Sequence, residues 1–310
     1  MALHPQVEAL VEMLAAGGRK EVHESTPEEA RLGYLAMQEM LGAGPELPAV
    51  EDRTIPGPGG AIPIRIYTPE GSGPFPLTLF LHGGGFVIGD LDSHDRQCRE
   101  IAVEAGCMVL SVHYRLSPEH RFPAAPEDAV AAMRWAAAHY EDLGVDSARV
   151  AVCGDSAGGN LSAVVAQAAR DDGVPLVAQV LVYPAVDARD PAPYPSREEN
   201  AAGPILMEET MRYFMEHYLG GTDADPLDPR LSPLHGNLEG LAPALVITAQ
   251  YDPLRDEGEA YAHALEKAGV AVTLHRYDDM PHAFFQLAAV VDAGRTVVDE
   301  CAAFLRAHFN

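Results

Sequence analysis

Apolar residues along this chain follow two alternating rhythms, which predict strands and helices in turn. Short, nearly continuous apolar runs are typical of strands that helices cover on both faces. These runs occupy residues 62–67, 77–81, 108–112, 150–153, 178–183, 244–248 and 272–277. Helical periodicity fills most of the intervals between them, at residues 92–105, 126–139, 158–170 and 258–268. The alternation predicts an α/β fold with a mainly parallel central sheet and helices on both faces.

Two regions depart from this alternation and predict a covering layer. Before residue 45 the pattern predicts two helices. The second begins at Thr26, which caps it and is followed by a proline at the first helical position and a glutamate at the third, a typical helix start. Residues 187–221 open with a proline-rich stretch and continue into an aromatic-rich helix at 206–219. Because insertions between strands of such a sheet commonly lie over the strand ends, where ligands bind, we interpret 1–45 and 187–221 as cap elements of one domain spanning 1–310.

Composition narrows the classes of partner. The chain has 310 residues, 47% of them hydrophobic, which is enough to bury a large core. Acidic residues outnumber basic ones by 46 to 21, and the net charge is -25. Such a surface repels phosphate backbones and anionic lipid, so neither nucleic acid nor a membrane is expected as a partner. We interpret the acidity as a source of solubility or salt tolerance, and an acidic docking face is the alternative.

The cysteines and the N-terminus predict a cytoplasmic protein. The four cysteines are widely spaced, contain no CxxC pair, and are expected to be reduced and mostly buried. The first residues lack the basic and apolar regions of a secretory signal, and no apolar run is long enough to cross a membrane.

A candidate nucleophile lies between a predicted strand and a predicted helix. Residues 154–158 read GDSAG, which matches the pattern GxSxG. The flanking glycines permit the strained strand-to-helix turn that raises a serine hydroxyl above a sheet. A helix N-terminus also favours negative charge that develops nearby. We therefore predict Ser156 as a nucleophile; the alternative is a glycine-rich turn in which Ser156 caps the helix.

A run of glycines follows another predicted strand, at residues 83–85. Without side chains, the backbone N–H groups of such a loop can face a cavity, as a tetrahedral oxyanion requires. A triple glycine by itself would predict only a flexible loop. Together with the serine turn further along the chain, it predicts an oxyanion-binding loop.

An acid and a base are expected after the serine, on loops that follow later strands. Asp252 comes after the predicted strand 244–248, and His282 comes after the predicted strand 272–277. Both therefore fall at the same sheet edge as Ser156. We predict His282 as the general base and Asp252 as the acid that orients it.

Other titratable residues fit these roles less well. Asp256 lies about a helical turn beyond Asp252, Asp278 and Asp279 are too near the histidine in sequence, and His275 lies inside a strand. The chain contains 13 histidines, but none forms HExxH or a convincing ligand cluster. We therefore expect no metal.

Four motifs together resemble a known family. In chain order they are HGGGF at 82–86, YRLSPEHRFPAA at 114–125, GDSAGGN at 154–160 and YDPLRDEG at 251–258. They resemble the hormone-sensitive-lipase-like bacterial esterases, the family IV carboxylesterases, from about residue 60 to 285. The resemblance implies an α/β-hydrolase domain with a helical cap that hydrolyses short- to medium-chain carboxylic esters without a cofactor. The triad would act through an acyl-enzyme intermediate.

The resemblance also implies roles for residues at matching motif positions. The oxyanion donors would be the N–H groups of Gly84, Gly85 and Ala157. The structural supports near the site would be Tyr114, Pro118 and Glu119. The chain departs from the family pattern at Phe86, where tryptophan is commoner, at His113, where aspartate is frequent, and at Ala283, where glycine is usual. These departures affect the shape of the pocket and remove no catalytic group.

The substrate pocket is predicted to be apolar. Its candidate walls are Phe86, Leu206, Met211, Phe214 and Phe284, and the alternative for each is ordinary packing of the cap against the sheet. No basic cluster lies near the motifs, so a neutral small-molecule ester is expected.

Two other functions are alternatives, and the first of them shares the same machinery. An acyltransferase would differ only in the nucleophile that resolves the acyl-enzyme. A ligand receptor resembling this family would lack the histidine base, so the presence of all three triad residues argues against that function. The pattern does not distinguish a monomer from a homodimer.

Overall fold

A twisted eight-stranded sheet forms the centre of the computed structural model, which describes residues 2–17 and 20–310. Its strand order is β1-β2-β4-β3-β5-β6-β7-β8; β1 and β2 are antiparallel to each other, β2 is antiparallel to β4, and the other neighbours are parallel. The strands are β1 (Ala49–Gly57), β2 (Gly60–Thr68), β3 (Phe75–Leu81), β4 (Met108–Val112), β5 (Val145–Asp155), β6 (Ala178–Val182), β7 (Ala244–Tyr251) and β8 (Val272–Pro281). The predicted fold class is confirmed.

Each strand predicted from an apolar run overlaps an observed strand, but β1 was missed. This strand lies at the sheet edge and pairs only with β2. Four consecutive residues in its middle are exposed, and three of them are charged. An exposed edge strand buries too little of either face to leave an apolar run in the sequence, which explains the omission.

Helices cover both faces of the sheet in the described part of the chain. They are α1 (Pro5–Ala16), α2 (Pro27–Leu41), α3 (Asp95–Ala105), α4 (Ala124–Ala138), α5 (Tyr140–Leu143), α6 (Ala157–Asp171), α7 (Pro195–Glu199), α8 (Glu208–Leu219), α9 (Arg255–Lys267) and α10 (Asp292–Phe309). On one face α3 and α10 pack on the sheet, and α4 and α6 pack on the other. Helix α10 was not predicted, although it buries Val297, Cys301 and Leu305 at helical spacing.

The strands distribute their side chains between the two cores. In β5, Val150 and Val152 face the core under α4 and α6, whereas Ala151 and Cys153 face the core under α3 and α10. This alternation is the period of two that a strand imposes. Because both faces are buried, β5 reads as a continuous apolar run in the sequence.

All four cysteines belong to the core under α3 and α10. Cys98, Cys107, Cys153 and Cys301 are fully buried and none is in a disulfide. Burial raises the pKa of each thiol, that of Cys107 to about 12, so all four side chains stay protonated. They behave as the small buried hydrophobic residues that their spacing predicted.

The helices α1, α2, α7 and α8, which we call the cap, come from the two predicted cap segments. Arg31 of α2 anchors this layer: its Nε donates to Val87 O at 2.8 Å, and its guanidinium forms a two-pronged ion pair with Glu119. An apolar cluster around Tyr34 and Phe214 joins α2 and α8 over the loop after β3. No helix among the described residues is both long and apolar enough to cross a membrane. The division into one domain with a cap stays a prediction.

Candidate active site

The predicted site residues meet at one edge of the sheet, where parallel strands end. Residues 82–86 follow β3, Ser156 follows β5, Asp252 follows β7 and His282 follows β8. Because these strands run in the same direction, their carboxyl ends bring residues far apart in sequence to one edge. We call residues 82–86, Ser156, Asp252 and His282 the strand-end rim.

Ser156 occupies a strained turn between β5 and α6. Its φ of 55° and ψ of -116° are rarely adopted by residues other than glycine, a conformation that typically costs about 1–3 kcal/mol and is held by its surroundings. The Ser156 N–H donates to Val182 O of the neighbouring strand at 2.8 Å. A Cβ atom at Gly158 would lie 1.9 Å from Leu81 O, so the close approach of helix and sheet requires glycine there. The serine side chain makes no capping hydrogen bond to the helix.

The side chains of Ser156, His282 and Asp252 form a continuous hydrogen-bonded relay. His282 Nε2 lies 2.9 Å from Ser156 Oγ, and His282 Nδ1 lies 2.6 Å from Asp252 Oδ2. Asp252 is fully buried, and its other oxygen accepts from Leu254 N–H at 2.8 Å. A carboxylate can only accept, so the neutral ring carries its proton on Nδ1 and presents the lone pair of Nε2 to the serine hydroxyl. This arrangement can remove a proton from the hydroxyl.

The rival residues lie elsewhere. Asp256, at the start of α9, accepts from Ser196 N–H at 2.7 Å and from Arg255 Nε at 2.7 Å. His275 is half-exposed on β8 and faces Glu300, 2.9 Å from its carboxylate. Neither residue faces His282.

The glycine loop after β3 is shaped by close contacts that exclude side chains. Gly84 and Gly85 have φ values of 120° and 59°, in the region that favours glycine. A Cβ atom at Gly84 would lie 2.2 Å from Ile88 O, and one at Gly85 would lie 2.3 Å from the Phe214 ring. No described residue accepts a hydrogen bond from the N–H of Gly84, Gly85 or Ala157. These three N–H groups therefore remain available to a ligand oxygen.

Asp155 and Tyr114 fasten this loop, and the sequence had assigned no function to Asp155. The buried Asp155 carboxylate accepts from Gly83 N–H at 2.9 Å, which ties the loop to the residue before Ser156. Tyr114 OH donates to His82 O at 2.7 Å, in agreement with its predicted supporting position. The signal for Asp155 was its place at the end of a buried strand, directly before the nucleophile position.

Two buried rings of the site, those of His82 and Tyr183, are neutral near neutral pH. His82 is fully buried, and burial, assisted by His94 and His113, lowers its pKa well below the usual value. Tyr183, whose ring centroid is 4.5 Å from that of His282, has its pKa raised well above the usual value by burial. Neither group competes with His282 for the proton of the serine hydroxyl near neutral pH.

A cavity of about 760 Å³ opens onto Ser156 and His282. Its lining includes four of the predicted walls, Phe86, Leu206, Met211 and Phe214. Three apolar residues of α1 that were not predicted as walls, Leu10, Val11 and Leu14, also line it. The cavity is thus enclosed by the strand-end rim below and by both predicted cap segments above.

The fifth predicted wall, Phe284, is a correction. Phe284 is fully buried in the core, with its ring centroid 4.8 Å from that of Tyr277 and 5.9 Å from that of Tyr183, and it does not line the cavity. Ala283 adopts a left-handed conformation, with φ of 65°, and a short 3-10 helix follows at Phe284–Leu287. This turn directs the aromatic ring into the core on the side of the sheet where α10 packs.

Among residues 2–17 and 20–310, no group of three or more histidine, cysteine or acidic side chains is arranged to hold a metal ion. The expectation that the chemistry needs no metal or cofactor stays a prediction.

Comparison with known families and proteins points to one class of enzyme. A family described as the alpha/beta hydrolase fold matches residues 78–286. The carboxylic ester hydrolase LipN of Mycobacterium tuberculosis is 48% identical over 275 residues, which cover 86% of this chain and 73% of the relative. The ethyl acetate hydrolase of Pseudomonas putida is 37% identical over 305 residues, which cover 94% of this chain and 95% of the relative.

Solved structures give the same result. The hyperthermophilic esterase from the archaeon Pyrobaculum calidifontis superposes with a TM-score of 0.94 at 42% identity, and the superposition covers 99% of each chain. An alpha/beta hydrolase enzyme from the metagenome of Lake Arreo in Spain also gives a TM-score of 0.94, at 41% identity over 99% of this chain and 98% of that one.

Proposed function

Because this chain belongs to the hormone-sensitive-lipase-like esterases of the α/β-hydrolase fold and is a carboxylic ester hydrolase, we propose that Ser156, His282 and Asp252 are its catalytic triad. The observation that carries the proposal is the relay of 2.6 and 2.9 Å contacts from a buried carboxylate to a hydroxyl at the wall of a cavity. Hydroxyl, imidazole and carboxylate in this order are what nucleophilic attack on an ester carbonyl requires.

In the first half of the reaction, the ester acylates the serine. Ser156 Oγ attacks the carbonyl carbon while His282 Nε2 takes the hydroxyl proton, and Asp252 stabilises the resulting imidazolium. The carbonyl oxygen becomes an oxyanion, which accepts hydrogen bonds from the N–H groups of Gly84, Gly85 and Ala157. When the tetrahedral intermediate collapses, the carbon–oxygen bond to the alcohol breaks, and His282 returns the proton to the departing alcohol oxygen.

In the second half, water releases the acid. His282 takes a proton from a water molecule as that oxygen attacks the acyl carbon, and the same N–H groups hold the second oxyanion. Collapse of the intermediate breaks the bond to Ser156 Oγ, which regains its proton from His282. The products are a carboxylic acid and an alcohol, and the enzyme returns to its starting state.

We propose short- to medium-chain neutral esters as substrates. The walls at Phe86, Leu206, Met211 and Phe214 favour apolar groups, and the cavity of about 760 Å³ accommodates a small ester with room for an acyl chain. The name of the Pseudomonas putida relative, ethyl acetate hydrolase, refers to a small neutral ester and supports this range. We further propose a cytoplasmic monomer or homodimer; the four unbridged cysteines support a reducing compartment.

The test is hydrolysis of p-nitrophenyl esters from acetate to palmitate by the wild-type chain and by Ser156→Ala. We expect the wild type to be most active on short and medium chains and the variant to lose about 10⁴-fold or more in kcat. Ser162→Ala is the matched control, because Ser162 lies on the same helix and donates to Gly158 O, away from the reacting atoms. Activity retained in Ser156→Ala would refute the triad, and activity confined to long chains would refute the substrate range.

A further inference from the structure

A buried hydrogen-bond network connects the cap to the glycine loop through Gln286. This residue lies four positions after His282, in the short helix Phe284–Leu287, and is 3% exposed. Its Oε1 is 2.5 Å from Tyr34 OH of α2, and its Nε2 is 2.9 Å from Asp155 Oδ2. Asp155 in turn binds Gly83 N–H at 2.9 Å. One amide therefore lies between a cap helix and the loop that carries the proposed oxyanion donors.

The chemistry of the neighbours fixes the orientation of this amide. The Asp155 carboxylate can only accept hydrogen bonds, so the Gln286 NH₂ group must face it and the amide oxygen must face Tyr34. The Tyr34 hydroxyl then donates its proton to Gln286 Oε1. Without that donor, the carboxylate would still hold the NH₂ group, but the amide oxygen would keep only the longer contact of 3.5 Å from Gln38 Nε2.

His94 completes the network as an acceptor. Gly83 N–H and Gln286 Nε2 approach His94 Nε2 at 3.3 and 2.9 Å, so this nitrogen is unprotonated. The ring proton is then on Nδ1, which lies 3.0 Å from Ser93 Oγ. The fully buried Asp155 carboxylate accepts from Gly83 N–H and from the Gln286 amide, and its Oδ1 also lies 3.2 Å from His94 Nε2. Loss of the Gln286 amide would leave one carboxylate oxygen without its donor, which is costly for a buried charge.

We propose that Gln286 is a positioning residue: through Asp155 it holds the Gly83 end of the glycine loop, and through Tyr34 it makes the geometry of that loop depend on the seating of α2. The inference rests on the proposed function, because it concerns the stabilisation of the oxyanion. The N–H groups of Gly84 and Gly85 follow Gly83 directly in the chain. A small displacement of Gly83 therefore moves both donors relative to the oxyanion, while the apolar walls Leu206 and Met211, which belong to another segment, stay in place.

The test combines Gln286→Met, which keeps the length of the side chain but removes its amide, with Tyr34→Phe, which removes only a hydroxyl. With p-nitrophenyl butyrate, we expect Gln286→Met to lower kcat by about 10–100-fold at nearly unchanged KM. This decrease in kcat is no larger than the one that the loss of a whole oxyanion donor typically causes. Tyr34→Phe should lower kcat by about 3–10-fold, again without a change in KM. The double variant should be no slower than Gln286→Met alone, because both changes act through one amide.

A second readout separates positioning from general damage to the structure. A trifluoromethyl ketone forms a tetrahedral adduct with an active serine, so its inhibition constant should weaken by the same factor as kcat/KM in each variant. The matched control is Tyr277→Phe, which loses a hydroxyl contact of 2.8 Å to Glu300 outside this network and should keep its kcat. Active-site titration corrects each kcat for the fraction of folded enzyme.

The possible outcomes lead to different conclusions. Unchanged kcat in Gln286→Met, a loss confined to KM, or strictly additive effects in the double variant would each overturn the positioning role. If Gln286→Met does not fold, the kcat of Tyr34→Phe is compared with that of Tyr277→Phe. A lower kcat in Tyr34→Phe supports the positioning role, and equal kcat values overturn it. A wild-type chain without esterase activity would instead refute the proposed function itself, and it is detected before any variant is made.

Discussion

The strand-end rim and the cap are held in place by different kinds of interaction. Each rim group follows a strand directly; the Ser156 N–H is bound to the neighbouring strand, the glycine loop is fastened by Asp155 and Tyr114, and the buried relay joins Asp252 to Ser156. The cap rests on side chains: an apolar cluster around Tyr34 and Phe214, and the polar anchor formed by Arg31. We infer that the sheet positions the groups of the proposed chemistry, while the side chains of the cap shape the pocket.

The two regions nevertheless meet at a few contacts. The Phe214 ring of α8 fills the space where Gly85 has no side chain, and Tyr34 of α2 reaches the amide of Gln286. These contacts mark the places where a change in the cap is expected to alter the reaction rate as well as the binding of substrate.

The largest expected effect lies within the rim. Asp252→Asn should lower kcat by about 10⁴-fold, because an amide at this position favours the ring tautomer that points a proton at Ser156. The measurement is kcat for p-nitrophenyl butyrate, corrected by active-site titration, with Asp256→Asn as the matched control. A variant that retained most of the wild-type kcat would mean that the rim does not operate as a relay.

An intermediate effect is expected where rim and cap meet. Gly85→Ala should lower kcat by about 10²-fold, because the new Cβ would collide with the Phe214 ring and displace an oxyanion donor. Removing the ring in Gly85→Ala/Phe214→Ala should restore part of that rate, whereas Phe214→Ala alone should mainly raise KM. If the double variant is as slow as Gly85→Ala, the loss of rate comes from backbone strain at residue 85, whose φ is 59°, and not from the collision with the cap.

The smallest effect concerns the polar anchor of the cap. The hydrogen bonds from Arg31 lower the pKa of Glu119 from its usual 4.5 to about 2. A lowered carboxyl pKa stabilises the folded state above pH 4.5, and the contribution is lost as the pH falls towards 2. Because Glu119 is half-exposed, Glu119→Gln should lower the melting temperature by at most about 2 °C at neutral pH.

The check is a series of thermal melts of both proteins between neutral pH and the acid limit of folding. The difference in melting temperature between the wild type and Glu119→Gln should be constant near neutrality and should narrow below about pH 4.5. A difference that does not depend on pH would show that the ion pair contributes nothing through its charge.

The sequence predicted the rim better than the cap for a physical reason. Ser156, Asp252 and His282 were located by counting from apolar strands, and a parallel sheet brings strand ends to one edge whatever the details of packing. The exposed edge strand β1 escaped the same method because it carries no apolar run. The C-terminal helix α10 was also left out, although its buried residues recur at helical spacing.

Side-chain contacts were much harder to predict. Phe284 was assigned to the pocket, but a left-handed residue before it turns the ring into the core. The network around Gln286 depends on residues from four separate segments, and a glutamine in an apolar stretch gives no sign of its partners. Such contacts follow from the three-dimensional packing and have no period in the sequence.

The burial of every cysteine also shields the four thiols of the native protein from alkylating reagents. The four thiols come from two helices, a strand and the turn before another strand, all on one face of the sheet. A reagent such as iodoacetamide would reach them only when that whole layer opens. The rate of their modification would therefore serve as a built-in reporter of global unfolding, with no label to introduce and no substitution in the chain.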